Sequence, residues 1–256
     1  MSSRRQVMLE RGWLLHHFPY RDSSLIIEVF TRERGRFGLV ARGARRARSQ
    51  QRAMLQSFTP LQLSYTGTGE LATLTGVEPD GPPLILEGTA LMAGYYANEL
   101  LLRLLARSDE HAVLFDNYTG LLRALAGGED IALSLRGFER GLLDELGYGL
   151  NLDHDIVDGA VLDPAAHYEY VLEQGPRRVS LPDTHGRLCF SGQTLIDIRE
   201  LQLRDPVTRA AARRLFTVAL DLYLGHRPLK SRQVLEGVLR LARETPDASG
   251  DGKERG

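Results

Sequence analysis

The chain of 256 residues contains a single cysteine, Cys189, and only two lysines, Lys230 and Lys253, beside thirty arginines. One cysteine excludes an internal disulfide and any multi-cysteine zinc site, and fits a reduced compartment. The start Met1-Ser2-Ser3-Arg4-Arg5-Gln6 is not followed by a signal-peptide apolar region, and no uninterrupted apolar run is long enough to cross a bilayer. A cytoplasmic location is therefore expected, with neither secretion nor membrane insertion. Also missing are a Gly-x-Ser-x-Gly elbow, a phosphate-binding Walker loop and a dinucleotide fingerprint, so ATP use and covalent catalysis have no candidate residues. Cys189 lies between Leu188 and Phe190 and reads as a small core side chain rather than a nucleophile.

What is present is arginine, unevenly placed. Arg32, Arg34, Arg36, Arg42, Arg45, Arg46, Arg48 and Arg52 fall within one short stretch against a single acid, Glu33. Residues 1–52 hold twelve arginines and four acids; the rest holds twenty cations and twenty-nine acids, which leaves the whole chain at −1. A permanently charged, planar cation forks onto phosphate oxygens and stacks on bases, so this block points to nucleic acid. A run of charge is elsewhere often no more than a solvated face, but here it is laced with glycine between strand-like segments.

Short apolar runs separated by turn residues predict five strands, at Val7–Phe18, Leu25–Thr31, Arg36–Ala41, Leu61–Tyr65 and Glu70–Val77. Thr66-Gly67-Thr68-Gly69 reads as a tight turn between the last two. Five short strands suggest a small closed barrel of the OB-fold kind, with the basic segment between strands three and four. After Pro79-Asp80-Gly81-Pro82-Pro83 the hydrophobic period lengthens to that of helices. Leu91, Tyr95, Leu102 and Leu105 form one stripe of a helix whose other sides carry Leu100, Leu101 and Leu104, so it is expected to be central and buried all round. Asp130 is placed to cap a helix with Ile131, Leu135, Phe138, Leu142 and Leu146 on one face, stopped by Gly147. Asp205-Pro206 opens another, with Val207, Ala211, Leu215, Val218 and Leu222 inward. The expected fold is thus α+β: an OB-fold unit over 1–80, and a helical unit over 84–243 with an insert of small strands at 151–190. Within the insert, strands are expected at Tyr168–Leu172, Val179–Leu181 and Leu188–Phe190, and residues 244–256 form a disordered tail.

Among candidate sites, Arg34, Arg36, Arg42, Arg45, Arg46, Arg48 and Arg52 are assigned to phosphate contact, and Trp13 and Phe37 to base stacking, with core packing as the competing reading for each ring. Asp153-His154-Asp155 has metal-ligand chemistry, but adjacent residues point different ways and the spacing fits no metal motif; a solvated loop is expected, and no metal or cofactor. Arg227-Pro228-Leu229-Lys230-Ser231-Arg232 is a second basic spot, with Ser231 suited to a helix N-cap.

Val29-Phe30-Thr31 followed by Gly35, then Leu39-Val40-Ala41-Arg42-Gly43-Ala44-Arg45, Asn98-Glu99-Leu100-Leu101, Leu146-Gly147-Tyr148-Gly149 and Leu229-Lys230-Ser231-Arg232 resemble the bacterial recombination-mediator family RecO. Each match is short; together, in order, they run from about residue 7 to residue 243. The resemblance implies an N-terminal OB-fold, a helical C-terminal unit and no enzymatic turnover. It also implies binding of single- and double-stranded DNA, annealing of complementary strands, and work with RecR and with single-stranded-DNA-binding protein to load RecA. Some members carry a four-cysteine zinc module where this chain has only Cys189, so zinc is not expected. For docking of the acidic, aromatic-ended tail of the single-strand-binding protein, Arg213, Lys230 and Arg232 are the candidate cations. Two other readings compete: an RNA-binding or ribosome-assembly OB-fold protein, and a metal-dependent hydrolase built on Asp153-His154-Asp155.

Overall fold

In a computed structural model the described residues are 6–67, 69, 71–180, 188–225, 227–234 and 237. The alternating N-terminal runs form five strands: β1 (Gln6–Tyr20), β2 (Ser24–Thr31), β3 (Gly35–Ala41), β4 (Pro60–Thr66) and β5 (Leu71–Pro79). They close a barrel in the order β1-β2-β3-β5-β4, with β1 pairing β4 and β3 running parallel to β5. This is the OB-fold. One short helix, α1 (Gln50–Met54), sits between β3 and β4. Period-two alternation sends Leu14, Ile27, Val29, Phe37, Leu39 and Leu63 into the barrel, where each is essentially inaccessible. Thr68 of the expected β4–β5 turn lies outside the described residues.

The opposite side chains of the same strands make a second core. Trp13, Leu15, Phe30 and Phe58 leave the outer barrel surface and pack into the helical unit. That unit comprises α2 (Gly88–Leu104), α3 (Ala112–Ala126), α4 (Ile131–Glu145), α5 (Gly192–Arg199) and α6 (Pro206–Leu224), with residues 230–234 beginning a further helix. Helix α2 packs on β1, α3, α4 and α6, as a central helix should. It is not buried all round: Tyr95 is 40% exposed and packs on Phe58, while the deep face is Ala93, Tyr96, Ala97, Leu100 and Leu101.

Polar ties fix the barrel to the helices. A bulge in β1 between Leu14 and His16 takes Leu15 out of the ladder, and the Asn98 side-chain amide of α2 donates to its carbonyl at 3.0 Å. The Asn98 carbonyl accepts from Tyr118 of α3, so one buried amide joins three elements. Buried Glu28 accepts from Arg36 at 3.1 Å and from Arg107, while Arg36 donates twice to the Leu105 carbonyl at 3.2 and 2.9 Å. Gly35 is required there: its φ is +70°, and an added Cβ would lie 1.7 Å from the Asp109 carbonyl oxygen.

Helix ends follow the sequence closely. Asp130 accepts from the Ala132 and Leu133 amides, and Asp205 from the Val207 and Thr208 amides. In α6 the inward set matches expectation in part: Leu215 is buried and Ala211 and Val218 are half-buried against the core, but Val207 is 74% and Leu222 45% exposed, while Thr208, Ala212, Phe216 and Ala219 are buried. The buried stripe runs through Thr208, Ala212, Leu215 and Ala219, which leaves Val207 and Leu222 at its edge. Helices α3 and α5 have no counterpart among the helices expected from the sequence.

The insert forms a three-stranded sheet, β6 (His167–Val171), β7 (Gly175–Val179) and β8 (Cys189–Ser191), in the order β7-β6-β8. β7 lies earlier than the expected Val179–Leu181, because Gly175 at φ +128° turns the chain directly back from β6. The expected tail at 244–256 lies outside the described residues.

Candidate nucleic-acid interface

β3 splits the arginine run. Arg34 and Arg36 stand at its start and Arg42 just past its end, about 20 Å apart for seven extended residues. The two groups have different surroundings. At the near end Arg34 donates to the Gly69 carbonyl at 2.7 Å and lies 4.1 Å from the Phe37 ring centroid, closing the bottom of the barrel. Arg36 is held by Glu28 and Leu105; burial pulls its pKa below the ordinary value, partly offset by Glu28. Arg32 forms an exposed pair with Asp116 at 3.1 Å. These three guanidiniums are committed within the molecule.

Beyond Ala41 the chain turns at Gly43, whose φ is +71°, and two turn hydrogen bonds, Arg46 N to Gly43 O and Ser49 N to Arg46 O, lead into α1. Ala44 and Leu55 are buried in the barrel core and pin the two ends of the loop. Arg42 just before Ala44, and Arg45, Arg46 and Arg48 after it, are exposed, as is Arg52 on α1. The Arg45 amide donates to Ser23 O at 2.9 Å and its guanidinium to Arg21 O at 3.0 Å, which fastens the loop to the β1–β2 turn. Exposed Arg21 thereby joins the same corner. Its place in the turn Arg21-Asp22-Ser23, outside the arginine run, gives no signal by charge density; only the hairpin contact reveals it. Among the described residues, no ion pair engages Arg21, Arg42, Arg45, Arg46, Arg48 or Arg52. Six uncompensated cations at one corner set up a positive field suited to a polyanion.

The two rings assigned to stacking are interior. Trp13 is 3% exposed, donates its indole N–H to Thr119 Oγ1 at 2.9 Å and meets Tyr118 edge-on at 6.1 Å. Phe37 is fully buried against Tyr65 inside the barrel. Neither offers a face to a base, and the core-packing alternative describes both.

In the helical unit Lys230 and Arg213 are exposed, and Arg232 pairs with Asp221 at 2.7 Å with its guanidinium 5.9 Å from the Tyr96 ring. The helix beginning at 230 is capped from a distance: Glu99 of α2 accepts from the Lys230 and Ser231 amides at 3.0 and 2.8 Å and from the Ser231 hydroxyl at 2.6 Å. Burial alone would raise the Glu99 pKa, but these donors hold it below the ordinary value. Ser231 is thus a donor to the cap rather than the cap itself. In Asp153-His154-Asp155, Asp155 is buried and accepts from the Val157 and Arg178 amides, Asp153 pairs with Arg199, and His154 bridges Val161. The triplet lies in a loop, as expected, with Asp153 and His154 exposed; only Asp155 is buried, where it holds the backbone of β7.

The architecture defines an OB-fold protein with a helical C-terminal unit and a basic barrel corner. The family models "Recombination protein O N terminal" and "Recombination protein O C terminal" match residues 6–82 and 86–233. The chain is 44% identical over 236 residues to the DNA repair protein RecO of Ralstonia nicotianae, covering 92% of this chain and 86% of that one. It is 42% identical over 243 residues to the DNA repair protein RecO of Azoarcus sp., covering 94% and 100%. The chain belongs to the RecO family of DNA repair proteins.

Proposed function

We propose that the protein is a recombination mediator that binds single- and double-stranded DNA at the barrel corner and anneals complementary strands. The observation that carries this is the set of exposed arginines, Arg42, Arg45, Arg46, Arg48 and Arg52, with no ion-pair partner among the described residues, joined by Arg21. Two strands repel as polyanions, and a fixed cationic corner lowers that repulsion while leaving base edges free to pair. In this reading the corner acts by holding DNA, without turnover. In this reading RecR and the single-stranded-DNA-binding protein are its partners at coated DNA in the cytoplasm, at the nucleoid, and RecA loading is the outcome.

Arg213 and Lys230, with Arg232 behind them, form the cationic rim for the acidic tail of the single-strand-binding protein. Since Arg232 also pairs with Asp221, Lys230→Ala is the substitution that tests the rim. A labelled tail peptide should bind this variant several-fold more weakly with DNA binding unchanged; equal peptide affinity would move the tail site elsewhere. The function itself is tested by annealing of two complementary oligonucleotides, bare and coated with single-strand-binding protein, with an RNA pair as competitor. Acceleration of both DNA reactions is expected; annealing no faster than the spontaneous rate would refute the reading.

A further inference from the structure

We infer that the uncovered outer face of β1 is a base-stacking platform, so that the site reads unpaired bases and not only phosphate. This rests on the DNA-binding reading above and names what that reading leaves open: how single strands are told from duplex. The outer face of β1, β2 and β3 has two halves. At Trp13 and Phe30 it is covered by α3. From His16 onward, among the described residues, the outer side chains of β1 are uncovered, whereas Glu28 across from His16 is still buried beneath Arg36 and Arg107. His16, Phe18 and Tyr20 alternate onto that face at about 6.6 Å intervals, and among the described residues this part of β1, beyond Trp13, pairs only with β2.

The platform has a floor and a charged border. Phe18 pairs across to Ile26, and Ile26 to Val40, both half-buried, so the ring stands at the end of an apolar row. Phe18 remains 38% exposed, with the exposed His16 ring 5.4 Å from it and that of exposed His17 6.2 Å from His16. Arg21 lies 5.1 Å from the Tyr20 ring, and its carbonyl is the acceptor that fastens Arg45 of the basic loop. Rings and arginines are therefore contiguous. That complementarity selects the occupant: a ligand with flat apolar faces on one side and regular negative charge on the other is a single-stranded nucleic acid. A duplex hides its base faces and meets only the arginines.

Oligonucleotides of equal length with and without bases separate the two contributions. Wild type should bind a thymidine strand about five- to hundredfold more tightly than an abasic strand of the same phosphate count, the range expected for one stacked base. Phe18→Ala, with His16→Ala added, should erase most of that difference and leave duplex and abasic binding unchanged, which shows that the variant is folded. Equal wild-type affinity for the two strands, or a preference that survives in the double variant, would overturn the platform. The underlying reading fails differently: an Arg45/Arg46/Arg48→Gln variant that still binds every strand at wild-type strength would remove the DNA site altogether.

Discussion

Burial decides the role of Trp13, where sequence alone leaves stacking and packing open. Its indole is enclosed by α3 with its N–H bonded to Thr119, so Trp13→Ala should cost about 3–5 kcal/mol of folding stability. Phe37→Ala, inside the barrel, should cost a similar amount. Denaturant titration checks both: a decrease under about 1 kcal/mol would mean the rings are not core. Strand alternation shows that half the aromatics must face inward, but which face meets a second layer depends on the α3 packing that no local pattern encodes. Phe18 is the converse case, an apolar residue kept exposed because the strand runs past the covering helix.

Elements are legible wherever a local rule fixes them. The five strands appear within a few residues of their expected ends, and Asp130 and Asp205 cap the helices they precede. The Leu133 amide is the main influence holding the Asp130 carboxyl below its ordinary 3.8, aided by Arg209; for Asp205 it is Thr208. A carboxylate with a depressed folded-state pKa contributes its full stability above about pH 4 and loses it as pH falls through the folded value. Asp130→Ala should therefore lower stability by about 0.5–2 kcal/mol at neutral pH. The stability of this variant should also fall less steeply than that of wild type below about pH 4; parallel acid profiles would show that the cap does not titrate as described. Helix α3 has no such local mark because its chemistry is long-range: His111 at its N-cap makes no side-chain cap bond, and its buried face answers to the barrel and α4. The helix beginning at 230 is legible as a junction, but its cap, Glu99, is 131 residues distant.

Across the whole molecule, the arginine run has two meanings. Its first part builds the joint between barrel and helices, and its second part builds a free corner; linear charge density cannot separate them, because the strand between them is only seven residues long. The joint should be sensitive. Glu28→Ala leaves the half-buried Arg36 without its carboxylate and should cost about 3 kcal/mol. Gly35→Ala should destabilise further through the clash with Asp109, and a melting temperature equal to wild type for either would argue against the clamp. The corner should behave oppositely, being exposed and without ion pairs among the described residues. The most direct test is the salt dependence of single-strand binding by a variant with Arg42, Arg45, Arg46, Arg48 and Arg52 all changed to Gln. Every phosphate that the variant no longer neutralises should reduce the magnitude of the slope of log K against log salt by about 0.7, giving a drop of about 3–4 at unchanged folding stability. A slope equal to wild type would contradict the assignment of DNA binding to this corner.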